Sequence, residues 1–338
     1  AERGGMAKGA KKVWVGFDLG GTKMMATVYG AGFKALASAK AKTPVNEGPK
    51  AVLARIRETI HEALKEAQVP PRALAGIGVG CPGVLDLDAG LILEAPNLGW
   101  KRVPLRKLLA GWFRCRVTLA NDVDAGTYGE YRFGAGRGAR TLLGVFPGTG
   151  IGGGCVYAGQ LLRGKTGSAM EIGHLPIREH GRLCGCGRRG CLEALAGRLA
   201  ISAEVAQAAF RGEAPYVAAN GGSDLKKLKS GLLAKAIKAG DAAVERIVRD
   251  AMHLLGRAIG GTVNLLAPDV VVLGGGLVEA LPRLALEEVK AGLKDTAMAS
   301  FLPGLRVVEA ELGDDATTLG AAALAAEAAA PAKRGRRA

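Results

Sequence analysis

The sequence predicts an α/β protein, with helices layered on mixed sheets, and three observations carry that expectation. Short apolar runs ending at Gly, Pro or Asp alternate with longer segments of helical spacing. A strand, glycine turn, strand theme opens the chain and returns near its middle, which suggests two halves of related architecture. At 338 residues the chain is long enough for two separate cores, and no low-complexity linker divides it.

Each element follows from its residues. Val13 to Phe17 is apolar and stops at Asp18; a Gly-Gly turn follows, and Met24 to Tyr29 is apolar again, as in two strands joined tightly. "ALASAKAKTP" reads as a third strand before Pro44. Leu53, Ile56, Ile60 and Leu64 share one face of a helix that stops before Pro70-Pro71. "LAGIGVGCPGVLD" is a buried-type strand broken at Pro82-Gly83, "PNLGW" a loop, and "RVTLAND" a strand with a polar end. "TLLGVFPGTGIGGGCVYAG" repeats the opening theme. Helices are expected from Leu192 to Ala209 and from Leu232 to Leu266. "PDVVVLGGGLVEALP" is a buried strand, glycine loop and helix start. "LGAAALAAEAAA" is a closing Ala-rich helix, followed by eight residues expected to be disordered.

The net charge of +15 raises the question of nucleic acid. Much of it falls at the ends, on Lys8, Lys11 and Lys12, and on Lys333, Arg334, Arg336 and Arg337; Lys226, Lys227 and Lys229 form an internal run. Basic tails are solvated and bind polyanions weakly. No basic recognition helix accompanies them, so specific nucleic-acid binding is not expected. No charge-free apolar run approaches the ~20 residues of a membrane span, and the start "AERGGMAKGAKK" lacks a signal-peptide core. A cytoplasmic, reducing location is expected, where clustered cysteines read as metal ligands before disulfides.

Several motifs carry chemistry. In "DLGGTK", Asp18 to Lys23, a carboxylate ends a strand and small residues let amides approach phosphate oxygens; Asp18 suits Mg²⁺ held through water. A plain hairpin turn is the competing reading. "PGTGIGGG", Pro147 to Gly154, is a second such turn, and "LGGG", Leu273 to Gly276, is a third glycine loop at a strand end. Together they favour a nucleotide phosphate site over a Rossmann site, since no G-x-G-x-x-G opens a helix in the required context. In "AND", Asp122 suits a base that accepts a hydroxyl proton, while taken alone Asn-Asp slightly favours a helix cap. His174, Cys184, Cys186 and Cys191 supply four donors suited to a closed tetrahedral zinc. Unrelated thiols and a nucleic-acid zinc finger are weaker readings, since no second ligand pair or recognition helix follows. Glu171 and Glu193 flank this segment and suit hydrogen bonds from a polyol or sugar.

Taken in order, "DLGGTK", "CPG", "PNLGW", "AND", "GTGIGGG", "EIGH", "CGCGRRGCLE" and "LGGG" resemble the ROK family of sugar kinases and repressors, most closely its glucokinases, from about Val13 to Glu327. The resemblance implies a two-domain actin-like ATPase, ribonuclease-H-like fold with its active site in the interdomain cleft. It implies domains of 1-126 plus 318-338 and of 127-317. It makes Asp122 the general base toward glucose O6, with Gly83, Asn97, Asn121, Glu171, His174 and Glu193 on the sugar. Asp18, Gly20, Gly21, Thr22, Lys23, Gly148, Thr149 and Gly150 would hold ATP phosphates and Mg²⁺, and Gly275 and Gly276 the adenosine end. Zinc would be structural, and a homodimer or homotetramer is expected. Other hexoses (mannose, fructose, N-acetylglucosamine, N-acetylmannosamine) and polyphosphate are competing ligands. The family's repressors carry an N-terminal DNA-binding segment, whereas about a dozen residues precede the first strand here. One departure is Ala169-Met170, where the family often has Ala-Gly or Gly-Gly; a bulky Met beside the sugar site bears on substrate choice.

Overall fold

The computed structural model describes residues 12–165 and 167–330. The basic ends, including the tail expected to be disordered, lie outside the described residues, except Lys12. Strands β1 (Val13–Leu19) and β2 (Lys23–Tyr29) form the opening hairpin, and β3 (Ala35–Lys42) extends it antiparallel. Helix α1 (Pro49–Glu66) follows, burying Val52, Ile56, Ile60 and Leu64 at helical spacing. Strand β4 (Leu74–Cys81) returns parallel to β1. A small antiparallel sheet of β5 (Val84–Asp86), β6 (Leu91–Ala95) and β7 (Trp100–Val103) comes next. The "PNLGW" loop is therefore shorter than expected: Pro96–Leu98 form a 3-10 turn, and Trp100 opens β7 with its indole buried. After α2 (Leu105–Phe113), β8 (Arg116–Asn121) joins β4 in parallel and runs directly into α3 (Asp122–Phe133).

The theme then repeats. Strands β9 (Thr141–Pro147), β10 (Ile151–Tyr157) and β11 (Gln160–Leu161) are antiparallel neighbours. The helices α4 (Glu193–Ala196), α5 (Arg198–Phe210), α6 (Pro215–Asn220), α7 (Ser230–Lys238) and α8 (Ala242–Leu266) follow. Both helices read from spacing are each interrupted. Gly197 divides α4 from α5, and a Cβ there would stand 2.7 Å from the Glu193 carbonyl oxygen. Gly240, at φ +85°, divides α7 from α8, and the Asp241 carboxylate accepts the Val244 amide at 3.4 Å to cap α8. Strand β12 (Val270–Leu273) pairs parallel with β9, α9 (Gly276–Ala280) and α10 (Pro282–Lys294) cross back, and β13 (Arg306–Glu309) closes the sheet in parallel. Helix α11 (Asp315–Ala329) ends the described chain.

The two large sheets have the orders β3-β2-β1-β4-β8 and β11-β10-β9-β12-β13. In both, the first three strands of the unit are antiparallel neighbours and the last two add in parallel. This is the ribonuclease-H-like order present twice, as in the actin-like ATPase fold. One compact unit takes the chain up to Arg132, Arg163–Ser168 and the residues from Asp314 on; the other takes Phe133–Leu162 and Ala169–Gly313. The expected boundaries at 126/127 and 317/318 would have cut α3 and α11. The helices belong together: Tyr128 and Arg132 of α3 bond Glu327 of α11, and a Cβ on Gly129 would stand 2.3 Å from the Ala316 carbonyl oxygen.

In the first unit α11 lies almost against bare backbone. A Cβ on Gly16 of β1, on Gly78 of β4 or on Gly320 of α11 would come within 1.8 Å of a carbonyl oxygen. Glycine is required at all three by close approach. In the second unit the core gathers Val145, Met252, Leu255, Ile259, Val271 and Val289 under the sheet. Among the described residues no helix is long and apolar enough to cross a membrane.

Candidate functional site

The first unit gathers carboxylates and a glycine turn at the ends of β1, β4 and β8. Gly20 donates its amide to the Lys23 carbonyl at 3.0 Å, and Thr43 ties the turn down through Gly20 O at 2.7 Å and Thr22 O at 3.0 Å. The amides of Gly21 and Thr22 make no hydrogen bond among the described residues. Asn97 lies beside this turn, since a Cβ on Gly21 would stand 3.1 Å from the Asn97 Cβ. Gly83, at φ +89°, packs against Glu94 and Ala95 of β6, the strand that leads to Asn97. Lys23 is engaged: its Nζ pairs with Asp314 at 2.8 Å, and Lys40 joins that carboxylate at 3.3 Å. Such exposed pairs contribute about 0–1 kcal/mol and exchange readily for another anion.

Asn121 and Asp122 stand at the junction of β8 and α3. The Asn121 Oδ1 accepts the amides of Val123 at 2.9 Å and Asp124 at 3.3 Å, so the capping role is real. Its Nδ2 makes no hydrogen bond among the described residues. Asp122 Oδ1 accepts the Val123 amide at 2.9 Å, and the Thr317 hydroxyl of α11 donates to the Asp122 carbonyl at 3.4 Å. The Asp18 carboxyl is pushed up to about 7, first by burial and then by the charge of Asp122, with Lys23 opposing. Burial and the same two carboxylates push the Cys81 thiol up as well. Two neighbouring carboxylates, both half-buried, fit a divalent cation better than they fit each other.

The second unit gathers a glycine turn, thiols and an imidazole. In the turn between β9 and β10, Gly148 donates to Gly150 O at 2.8 Å, whereas the amides of Thr149 and Gly150 make no hydrogen bond among the described residues. The start of α5 holds the turn from outside, through Arg198 N to Gly148 O at 3.0 Å and Leu199 N to Thr149 O at 3.3 Å. Gly275 lies against the end of β9, for a Cβ there would stand 2.9 Å from Pro147 O, and Gly276 begins α9. All three glycine loops of the sequence thus sit at strand ends, two of them side by side.

His174, Cys184, Cys186 and Cys191 bring their ligand atoms within 4.8 Å of one another. His174 Nδ1 lies 3.6 Å from Cys184 Sγ, and Cys186 Sγ lies 3.6 Å from Cys191 Sγ. There is no disulfide among the described residues, and Cys184 and Cys191 are buried. Three soft donors and an imidazole at that separation fit a closed tetrahedral zinc. The segment is folded by short returns: Cys184 N to Arg188 O at 2.8 Å, Gly190 N to Arg182 O at 2.9 Å and Leu192 N to Leu175 O at 2.9 Å. Glu193 reaches in two directions. One oxygen accepts the Ile151 amide at 3.0 Å, and the other lies 3.7 Å from Cys184 Sγ. Glu171 precedes the single turn Ile172–His174, and its carbonyl accepts the His174 amide at 2.9 Å. Met170 takes φ +66°, a left-handed conformation that disfavours a bulky side chain, and its carbonyl accepts the Ile172 amide at 2.6 Å.

The ROK family model matches residues 14–328. The chain belongs to the ROK family. It is 34% identical to a glucokinase of Thermotoga maritima over 93% of this chain and 97% of that one. A crystal structure of a ROK family glucokinase from Streptomyces griseus, in complex with glucose and AMPPNP, superposes with a TM-score of 0.81 at 28% identity, covering 93% and 99% of the two chains. ROK repressors are relatives too: a xylose repressor of Caldicellulosiruptor bescii is 27% identical over 84% of this chain and 70% of its own.

Two residues that touch the expected site residues, Thr317 and Arg198, carry no motif. Thr317 touches Asp122 from the far end of the chain and Arg198 touches Thr149, while Ile151, within the second glycine turn, joins Glu193 to that turn. No sequence signal marks Thr317. Arg198 was hidden inside a segment read as one continuous helix.

Proposed function

We propose that this ROK chain is an ATP-dependent hexose kinase, with glucose as acceptor and O6 as the attacking oxygen. One observation carries the reading: two units of the same topology each place, between their first two strands, a glycine turn with two unengaged amides. Backbone nests of this kind suit phosphate oxygens, and similarity to glucokinases over nearly the whole chain supports the hexose.

In this reading the Asp122 carboxylate accepts the proton of the sugar hydroxyl as its oxygen attacks the γ-phosphorus and the bond to the ADP oxygen breaks. Asn97, Asn121, Glu171, His174, Glu193 and the Gly83 backbone bind the other hydroxyls. The turns Gly20–Thr22 and Gly148–Gly150 hold the phosphates, and Gly275 and Gly276 border the adenosine. Lys23 contributes by exchanging Asp314 for a phosphate oxygen. Asp18 would hold Mg²⁺, which supplies positive charge to the phosphates. His174, Cys184, Cys186 and Cys191 would hold zinc, a structural brace. His174 and Glu193 are thereby fixed in orientation, and exclusion of water protects ATP from hydrolysis.

A coupled assay of ADP release against a panel of hexoses tests this. Glucose is expected to give the highest kcat/KM with ATP, and no ADP release with any hexose would refute the kinase. Likeness to xylose repressors favours a second reading, a sugar-responsive DNA binder. Sequence-selective DNA binding that persists at about 150 mM salt, in a protein without turnover, would favour it.

A further inference from the structure

We propose that Arg198 binds the phosphates of the nucleotide held at the Gly148–Gly150 turn. This rests on the kinase reading and adds a residue outside all the glycine motifs. Arg198 opens α5 directly after Gly197. The amides of Arg198 and Leu199 are already given to the carbonyls of Gly148 and Thr149, at 3.0 and 3.3 Å. The helix terminus therefore fixes the turn and is not itself the anion site.

The guanidinium has a different part. Nη2 donates to Thr149 Oγ1 at 2.8 Å, and Nη1 reaches Leu228 O at 3.5 Å. None of the ion pairs among the described residues involves Arg198. A guanidinium carries five N–H donors in a rigid fork, and these two contacts leave others to spare. Beside it, Thr149 and Gly150 offer two unengaged amides. A cationic fork next to two amides and a hydroxyl suits a phosphate, whose oxygens accept several bonds from planar donors. The other anchor points the same way. Leu228 lies two residues before Ser230, whose Oγ would be 3.8 Å from a Cβ at Gly276. Arg198 is thus tied at one end to the phosphate turn and at the other to the segment bordering the third glycine loop.

A phosphate contact has a signature that a purely structural arginine lacks: its loss must scale with the phosphates on the ligand. Titration calorimetry of the full chain with Mg²⁺ and ATP, ADP or adenosine reads this directly. Arg198→Gln is expected to weaken ATP and ADP about tenfold or more while leaving adenosine within about twofold, as loss of a charge-assisted bond implies. The KM for ATP should rise and that for hexose stay level, with Arg198→Lys falling between. Equal weakening of all three ligands, or of none, overturns the assignment. In case the variant fails to fold, phenylglyoxal labelling of the wild-type protein gives the same answer: ADP should protect Arg198 and adenosine should not. Protection by both or by neither overturns it. A wild-type protein that neither binds ATP nor phosphorylates any hexose would remove the kinase reading as well. A working kinase that Arg198→Gln leaves intact would remove only Arg198.

Discussion

The two units share a strand order yet divide the chemistry. The first places two carboxylates at the ends of its central strands, Asp18 one residue before the end of β1 and Asp122 directly after β8. The second sets two amides and a guanidinium at the equivalent turn, and one carboxylate, Glu193, links that turn to an imidazole and three thiols. Topology supplies the place for a turn, and the residues around it decide what it does. The packing differs as well. The first unit seats a helix on its sheet by backbone contact at Gly16, Gly78 and Gly320, whereas the second braces a long irregular segment through side chains that converge on one point.

The largest test of this contrast is the metal. Zinc removal, or Cys184→Ser, should cost the second unit local stability on the order of 10 kcal/mol and lower hexose affinity, while the first unit keeps its fold. Elemental analysis should give about one zinc per chain. A metal-free protein that melts and binds hexose like the wild type would break the comparison. Next comes Asp122→Asn, for which kcat should fall ~10²–10⁴-fold with glucose affinity held within about tenfold. Turnover near wild type would move the base elsewhere.

Backbone contact makes a smaller prediction. Gly78→Ala should destabilise the first unit by about 1–3 kcal/mol, because its methyl would meet the Ala321 carbonyl. Gly261→Ala in α8 has open space around its Cβ; it should instead stabilise by about 0.5–1 kcal/mol. Urea melts of the two variants compare them directly, and equal signs would be the wrong result.

Asp18 gives a pH-dependent test of the same contrast. Its carboxyl titrates near 7 in the folded protein against an ordinary value of 3.8. The native state then keeps a proton that the unfolded chain has lost, so stability falls as pH rises from about 4 to about 7. Asp18→Asn should flatten that slope and raise Tm at pH 8 by a few degrees, with little change near pH 4. Identical Tm differences at both pH values would dissolve the carboxylate pair.

Much of this is legible in the sequence. Apolar runs bounded by glycine marked β1, β2, β4, β9, β10 and β12, because buried strands need continuous apolar residues and tight turns need small ones. The four candidate metal ligands are legible because three lie within eight residues and the fourth ten residues upstream. The breaks at Gly197 and Gly240 were not, since apolar spacing continues across both and only contact with Glu193, or a positive φ, reveals them. Trp100 reads as loop for the reverse reason: a single buried indole leaves no periodicity. Arg198 and Thr317 were invisible, since a partner 49 or 195 residues away has no local signature.

The placement of α11 has a consequence for how the protein is made. Its glycine contacts complete a unit whose sheet was laid down at residues 13–121, yet α11 begins only at Asp315. A ribosome therefore delivers every strand of the second unit before the first can close its core. Unit two, later in sequence, is free to fold first, and the first waits half-covered for its last helix. Nascent-chain truncations just short of residue 315 should expose that waiting sheet to proteases.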